Sequence, residues 1–174
     1  DPTGIGAELV RAFSAQGSRV AFCGTRPDGG DALLAELKAT DDAAHLRYEA
    51  CDVRDIAALQ ALLDRVADQW GPIQVLVNNA GRDDRHALDE LTPEYWDNCL
   101  AINLRHQVFA TQSVARQLRT AQLPGSIINM GSISWMRGRP NLIGYTASKA
   151  AISGMTRSLA RELGEAGIRV NALL

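Results

Sequence analysis

The chain has 174 residues, which suits one domain, and 46% of them are hydrophobic, enough for a sizeable core. Its 18 Lys and Arg against 20 Asp and Glu leave a net charge of −2, which gives no electrostatic ground for nucleic acid or an anionic membrane as partner. No apolar run approaches the roughly 20 residues of a membrane-spanning helix, and Cys23, Cys51 and Cys99 lie too far apart for a metal site, which predicts buried, reduced thiols, no bound metal and a cytoplasmic setting.

The first element is a helix at about 5–17, introduced by "DPTGIGAELV". Gly4, Ile5 and Gly6 read as the back half of a phosphate-gripping glycine loop. Such a loop needs a strand, a tight glycine turn and then a helix whose free N–H groups and positive dipole end face a pyrophosphate. No strand precedes these residues, so the reading expects an upstream strand ending in Thr-Gly and lying in mid-sheet. A strand follows at 19–24, "RVAFCG". In a doubly wound site the end of this strand reads the adenosine ribose. Gly24 stands where an Asp would grip the 2′-hydroxyl of NAD, and Arg26 lies two residues on, which favours a 2′-phosphate and hence NADP over NAD.

A helix at about 29–39, a strand at 45–51, a helix at 55–69 and a strand at 73–79, "IQVLVNN", come next. The long helix at 92–121 carries an apolar stripe of Trp96, Leu100, Leu104, Val108, Ala115 and Leu118. Asn103 falls on or beside that stripe. A buried amide must find partners, so Asn103 either caps an irregular turn or holds a water against Lys149. The strand "SIINMGS" (126–132) puts Ser132 just past its end, at the sheet edge where such folds bind ligands, with Ser134 a close competitor. A turn serine that satisfies loop backbone is the plainer alternative.

The helix at 144–166 is the most informative. Tyr145 and Lys149 are four residues apart and begin a stripe continued by Ile152, Thr156, Leu159 and Leu163. A phenol has a pKa of ~10 and is a poor base at neutral pH. A neighbouring ammonium favours the phenolate, so the pair can take a hydroxyl proton while hydride leaves the same carbon. A tyrosine capping the core, with a lysine snorkelling past it, is the structural alternative. The last strand, 168–174, ends on an unterminated apolar run, and the reading expects further chain beyond it. Gly17, Gly71, Gly125 and Gly167 fall where helices need a left-handed closing residue. The alternation of short β-branched runs with amphipathic helices predicts an α/β fold. It is one domain over 1–174 with a doubly wound, Rossmann-type parallel sheet, covered on both faces and incomplete at both ends.

Taken in order, "GIG", "CDV", "NNAG", Asn103 in "INLRHQVFATQ", Ser132 in "SIINMGS" and "YTASK" resemble the short-chain dehydrogenase/reductase family over essentially the whole chain. The resemblance implies Tyr145 as base, Lys149 as the residue that lowers its pKa and holds the nicotinamide ribose, Ser132 as substrate orienter and Asn103 as the end of a proton relay. It implies Asp52 and Val53 against adenine, and Asn79, Ala80 and Gly81 beside the adenine ribose. It also implies NAD or NADP as cofactor and a homotetramer or dimer. A narrower likeness, in "RDDRHALDELTPEYWD", "NLRHQVFATQ" and "GSISW", is to the branch that oxidises xylose, arabinose or galactose to lactones. By that likeness His86 and Trp135 join Ser132, Ser134 and Tyr145 at the substrate. Arg82 departs from the Asn of that branch, and Gly24 from the acid of NAD-preferring members. The implied activity is NAD(P)-dependent oxidation of an aldose. A 3-oxoacyl or steroid carbonyl reductase, or a non-catalytic nucleotide-binding relative, are the alternatives.

Overall fold

A computed structural model describes residues 4–39 and 45–174; the first three residues of the opening glycine stretch lie outside them. In chain order the elements are α1 (Ile5–Ser14), β1 (Val20–Gly24), α2 (Pro27–Lys38), β2 (Leu46–Ala50), α3 (Ile56–Trp70) and β3 (Val75–Asn78). There follow α4 (Pro93–Leu100), a π-helical segment (Ala101–Arg105), α5 (His106–Ala121), β4 (Gly125–Met130), α6 (Ser134–Arg137), α7 (Ile143–Gly164) and β5 (Ile168–Leu173). All ladders are parallel. The described strands form two pieces, β1–β2 and β3–β4–β5, and no ladder joins β1 to β3. The registers are Val20 with Leu46, Val75 with Ser126 and Gly125 with Ile168.

Alternation along β1 sorts the helices onto two faces. Val20 and Phe22 meet Ala7, Val10, Leu33, Leu37 and Leu46 under α1 and α2, whereas Ala21 joins the main core of α3, α5 and α7. That core centres on Val114, Leu118 and Ile127, each with no exposed surface. β1 is covered on both faces, whereas the described helices pack on one face of β3–β5 and leave Val75 at 45% and Leu173 at 59% exposure on the other.

Three other expectations change. The helix at 92–121 is interrupted by the π segment, whose wider turn rotates Asn103 inward to full burial. Gly17, Gly71 and Gly167 do adopt positive φ, but the left-handed residue after α5 is Gln122. Gly125 is instead a site of close approach, since a Cβ there would stand 2.4 Å from Leu118 Cδ1. Cys51 and Cys99 are buried as expected, while Cys23 is exposed.

A buried polar relay seats α7 on the sheet. Asn78 Nδ2 donates to Asn129 Oδ1 at 2.9 Å, and Asn129 Nδ2 donates to Thr156 Oγ1 at 3.0 Å. Such groups are costly unless paired, so these bonds fix the height of α7 against β4. They thereby fix where Tyr145 and Lys149, two turns or more upstream on the same stripe, meet the carboxyl edge of the strands.

Candidate active site

At that edge a cleft of about 190 Å³ is lined by Ile5, Asn79, Gly81, Arg82, Asp83, Met130, Gly131, Tyr145 and Lys149. The fold has thus brought together the start of α1, the end of β3, the end of β4 and the first turns of α7. A larger hollow of about 330 Å³ between α3 and α5 is lined by Ala67, Asp68, Pro72, Arg116, Gln117, Thr120 and Ala121. It lies away from every candidate catalytic residue, and chemistry rather than size places the site in the smaller cleft.

Lys149 is buried, and its Nζ donates to the Met130 carbonyl at 2.6 Å while lying 5.5 Å from the Tyr145 ring centroid. Burial pulls its pKa below the ordinary lysine value, because the ammonium has lost water. The Asn103 side chain is bonded to backbone groups on both its oxygen and its nitrogen. Its Oδ1 accepts from Arg82 N at 2.8 Å, and its Nδ2 donates to the carbonyls of Arg82 and Cys99 at 3.0 Å each. The amide side chain therefore clamps the backbone after "NNAG", and Gly81 leaves the clearance: a Cβ there would meet Asn103 Oδ1 at 3.0 Å and Lys149 Nζ at 3.5 Å. The Asn103 main-chain carbonyl accepts from Gln107 Nε2 at 3.3 Å.

The glycine loop and the "NNAG" turn touch. A Cβ on Gly6 would stand 2.8 Å from Asn79 Nδ2, so the start of α1 closes directly over Asn79. Gly4 is the N-cap of α1, and Ala80 lies half-buried between the two cleft residues Asn79 and Gly81. Asp52 and Val53 are half-buried at the end of the β2 edge. The Asp52 carboxylate is engaged by Arg54 Nε at 2.9 Å, which holds its carboxyl below the usual range. Arg26 is exposed at the N-cap of α2, and no heavy atom lies within 4 Å of where a Gly24 Cβ would be.

The proposed substrate residues are less gathered. Ser132 Oγ donates to Ser134 Oγ at 2.9 Å and accepts from Ser134 N at 3.1 Å, a local turn that starts α6. The His86 ring packs at a tilt of 51° against Tyr95 with centroids 3.9 Å apart, and its backbone N–H donates to the Asn141 carbonyl at 3.0 Å. Trp135 Nε1 is buried and has no partner among the described residues. None of Ser132, Ser134, His86 and Trp135 lines the cleft, and neither does Asn103, which stands behind Gly81. Sequence reasoning missed Met130, whose carbonyl holds Lys149, and the lining role of Arg82, Asp83 and Gly131. Their position directly after "NNAG" and at the end of "SIINM" was the available sign.

Comparison with known proteins agrees with this geometry. A family profile described as short chain dehydrogenase matches residues 2–174. The chain is 44% identical over 173 residues to a protein of Rhizobium meliloti named "probable galactose dehydrogenase", covering 99% of this chain and 66% of that one. It is 42% identical over 172 residues to the D-xylose 1-dehydrogenase of Caulobacter vibrioides, again covering 99% and 66%. The chain therefore spans about two thirds of the length of these curated relatives. Among solved structures, an actinorhodin polyketide ketoreductase crystallised with NADPH superposes with a TM-score of 0.89 at 34% identity, covering 97% of this chain and 64% of that one.

Proposed function

Since the chain belongs to the short chain dehydrogenase family, we propose that its protein is an NAD(P)-dependent oxidoreductase that oxidises an aldose at the anomeric carbon to the aldonolactone. The observation that carries the reading is the meeting of Tyr145, Lys149 and the glycine start of α1 in one cleft at the carboxyl edge of the strands. The substrate class rests on the two sugar dehydrogenases among the relatives.

The residues fit a nicotinamide coenzyme at its inner end. Gly6 and Gly81 are positions where a side chain would close the space, and the cleft's size suits a sugar ring rather than a whole dinucleotide. Ile5 and Lys149 would hold that end, Asn79, Ala80 and Gly81 would form the turn beside the adenine ribose, and Arg26, Asp52 and Val53 would hold the adenosine end. When bound, the nicotinamide supplies hydride acceptance. The protein's own work is proton removal and orientation. Tyr145 Oη takes the proton of the anomeric hydroxyl, and the Lys149 ammonium supplies positive charge for the phenolate that this requires. Lys149 leaves the Met130 carbonyl, or shares it, to reach a ribose hydroxyl. Ser132 orients the substrate oxygen once its hydroxyl turns from Ser134. Asn103 fixes the Arg82 backbone that walls the site and presents its main-chain carbonyl toward the proton route. Gly24 and Arg26 favour NADP, since the open space at Gly24 leaves room for a 2′-phosphate beside a guanidinium. Cytoplasmic residence and a homotetramer or dimer complete the proposal.

The test is turnover by the full-length protein on xylose, arabinose and galactose with NAD or NADP, read as absorbance of the reduced coenzyme. Tyr145→Phe should lower kcat by about 10²–10⁴-fold while coenzyme still binds. Near-normal rates in that variant, or turnover confined to 3-oxoacyl thioesters, would overturn the reading.

A further inference from the structure

The turn between β1 and α2 carries Gly24, Thr25 and Arg26 at the place where a doubly wound site reads the adenosine ribose. The turn has no side-chain cap of its own: Arg26 is the N-cap of α2 and makes no side-chain capping bond. What holds it is Tyr48, one strand away. The Tyr48 hydroxyl lies 3.1 Å from the Gly24 carbonyl and 3.0 Å from the Arg26 carbonyl, both within donating distance. The Gly24 carbonyl also accepts from Cys51 N at 3.0 Å, so the two sides of the turn are pinned from β2. The ring is fixed in its turn. It packs against Phe22 with centroids 5.3 Å apart, and it fills the space at Gly30, where a Cβ would stand 2.1 Å from Tyr48 Cζ. Gly30 thus lets α2 descend onto the ring, and the hydroxyl projects beneath the turn. Burial, together with Asp31 and Cys23 nearby, pushes the phenol's pKa up, so it remains a donor through the working pH range.

We propose that Tyr48 is a positioning residue for coenzyme discrimination. Its hydroxyl fixes the backbone of 24–26 and so sets where the Arg26 guanidinium stands relative to the 2′ position of the adenosine ribose. This deepens the coenzyme reading above and rests on it. It predicts a residue that touches no coenzyme yet governs the preference between coenzymes, through one hydroxyl that a rigid ring presents to the carbonyls of Gly24 and Arg26.

The experiment compares the full-length wild type with Tyr48→Phe, which keeps the ring under Gly30 and removes only the hydroxyl. Two readouts are taken: deuterium uptake at the amides of 24–30 without ligand, and dissociation constants for 2′,5′-ADP and 5′-AMP. Faster uptake with a fivefold or greater weakening of 2′,5′-ADP, and less than twofold for 5′-AMP, is the expected result, with kcat at saturating coenzyme unchanged. Gly30→Ala, which must displace the ring, should change the same ratio in the same direction. Unchanged uptake, or equal weakening of both ligands against a wild type that prefers 2′,5′-ADP, overturns the positioning role. If the wild type binds the two nucleotides equally, the NADP reading falls and the discriminating role of Tyr48 falls with it. A wild type that prefers 2′,5′-ADP, and keeps that preference and its amide uptake unchanged in Tyr48→Phe, overturns the role of Tyr48 alone.

Discussion

At the scale of single residues, Lys149 carries two opposed demands. In the proposed mechanism its ammonium must remain charged to serve Tyr145, yet it is buried and its pKa is lowered by desolvation. One strong bond to the Met130 carbonyl offsets part of the cost. The sign of the linkage follows. Between the folded pKa and the unfolded value of about 10.4, the unfolded chain binds more protons, so stability rises with pH in that window. Lys149→Met should abolish turnover while leaving stability at pH 7 undiminished. Urea unfolding at pH 8 and pH 10 should show the wild type gaining on the variant as pH rises. A difference that stays constant or moves the other way would show that the lysine is not held at a cost. The Tyr145–Lys149 pair was legible in the sequence because a spacing of four on a helix fixes a shared face. The partner of Lys149 was not, because a backbone carbonyl carries no sequence label.

At the scale of elements, the decisive feature is the π segment between α4 and α5. An uninterrupted helix over 92–121 would leave Asn103 beside the apolar stripe; the wider turn carries it inward, onto the backbone of Arg82. Its side chain then makes three hydrogen bonds to the backbone of Arg82 and Cys99. Asn103→Ala should cost roughly 1–3 kcal/mol of stability, and deuterium uptake at 81–86 should rise with it. Stability loss without faster exchange in that loop would mean that the amide supports α4 and not the wall of the cleft. The sequence showed that Asn103 was out of place on its stripe. It did not show the break in the helix, because a π turn differs from an α turn in bonding i→i+5, which the apolar spacing of one short stretch does not record.

At the scale of the whole molecule, the fold tolerates a cluster of buried polar side chains on the first turns of α5. His106 is 2% exposed, and neither ring nitrogen has a hydrogen-bond partner of good geometry among the described residues; Gln107 Oε1 and Thr111 Oγ1 are likewise unpaired. Burial pushes the His106 pKa down to about 4; the Ala101 carbonyl opposes that shift and the Lys149 charge adds to it. The native chain therefore refuses a proton that the unfolded chain accepts near 6.5. Global stability should fall as pH drops from 6.5 towards 4, by up to about 3 kcal/mol from this residue alone. In His106→Gln the acid limb of a chemical-denaturation profile should flatten over that range, with little change above pH 7. An unaltered acid limb would assign the acid sensitivity to other groups.

The sequence by itself determined the order and type of nearly every element, the family, and the face that Tyr145 and Lys149 share. Periodicity, glycine placement and short-range spacing are properties of neighbours along the chain, and a linear string records them fully. Only the tertiary structure decided the rest. It set Asn103 as a clamp, turned Lys149 to Met130, and held Tyr48 beneath the turn between β1 and α2. Each of these depends on which residues meet across strands and helices far apart in sequence. There packing and the need to pair buried polar groups choose among several partners that local patterning leaves equivalent.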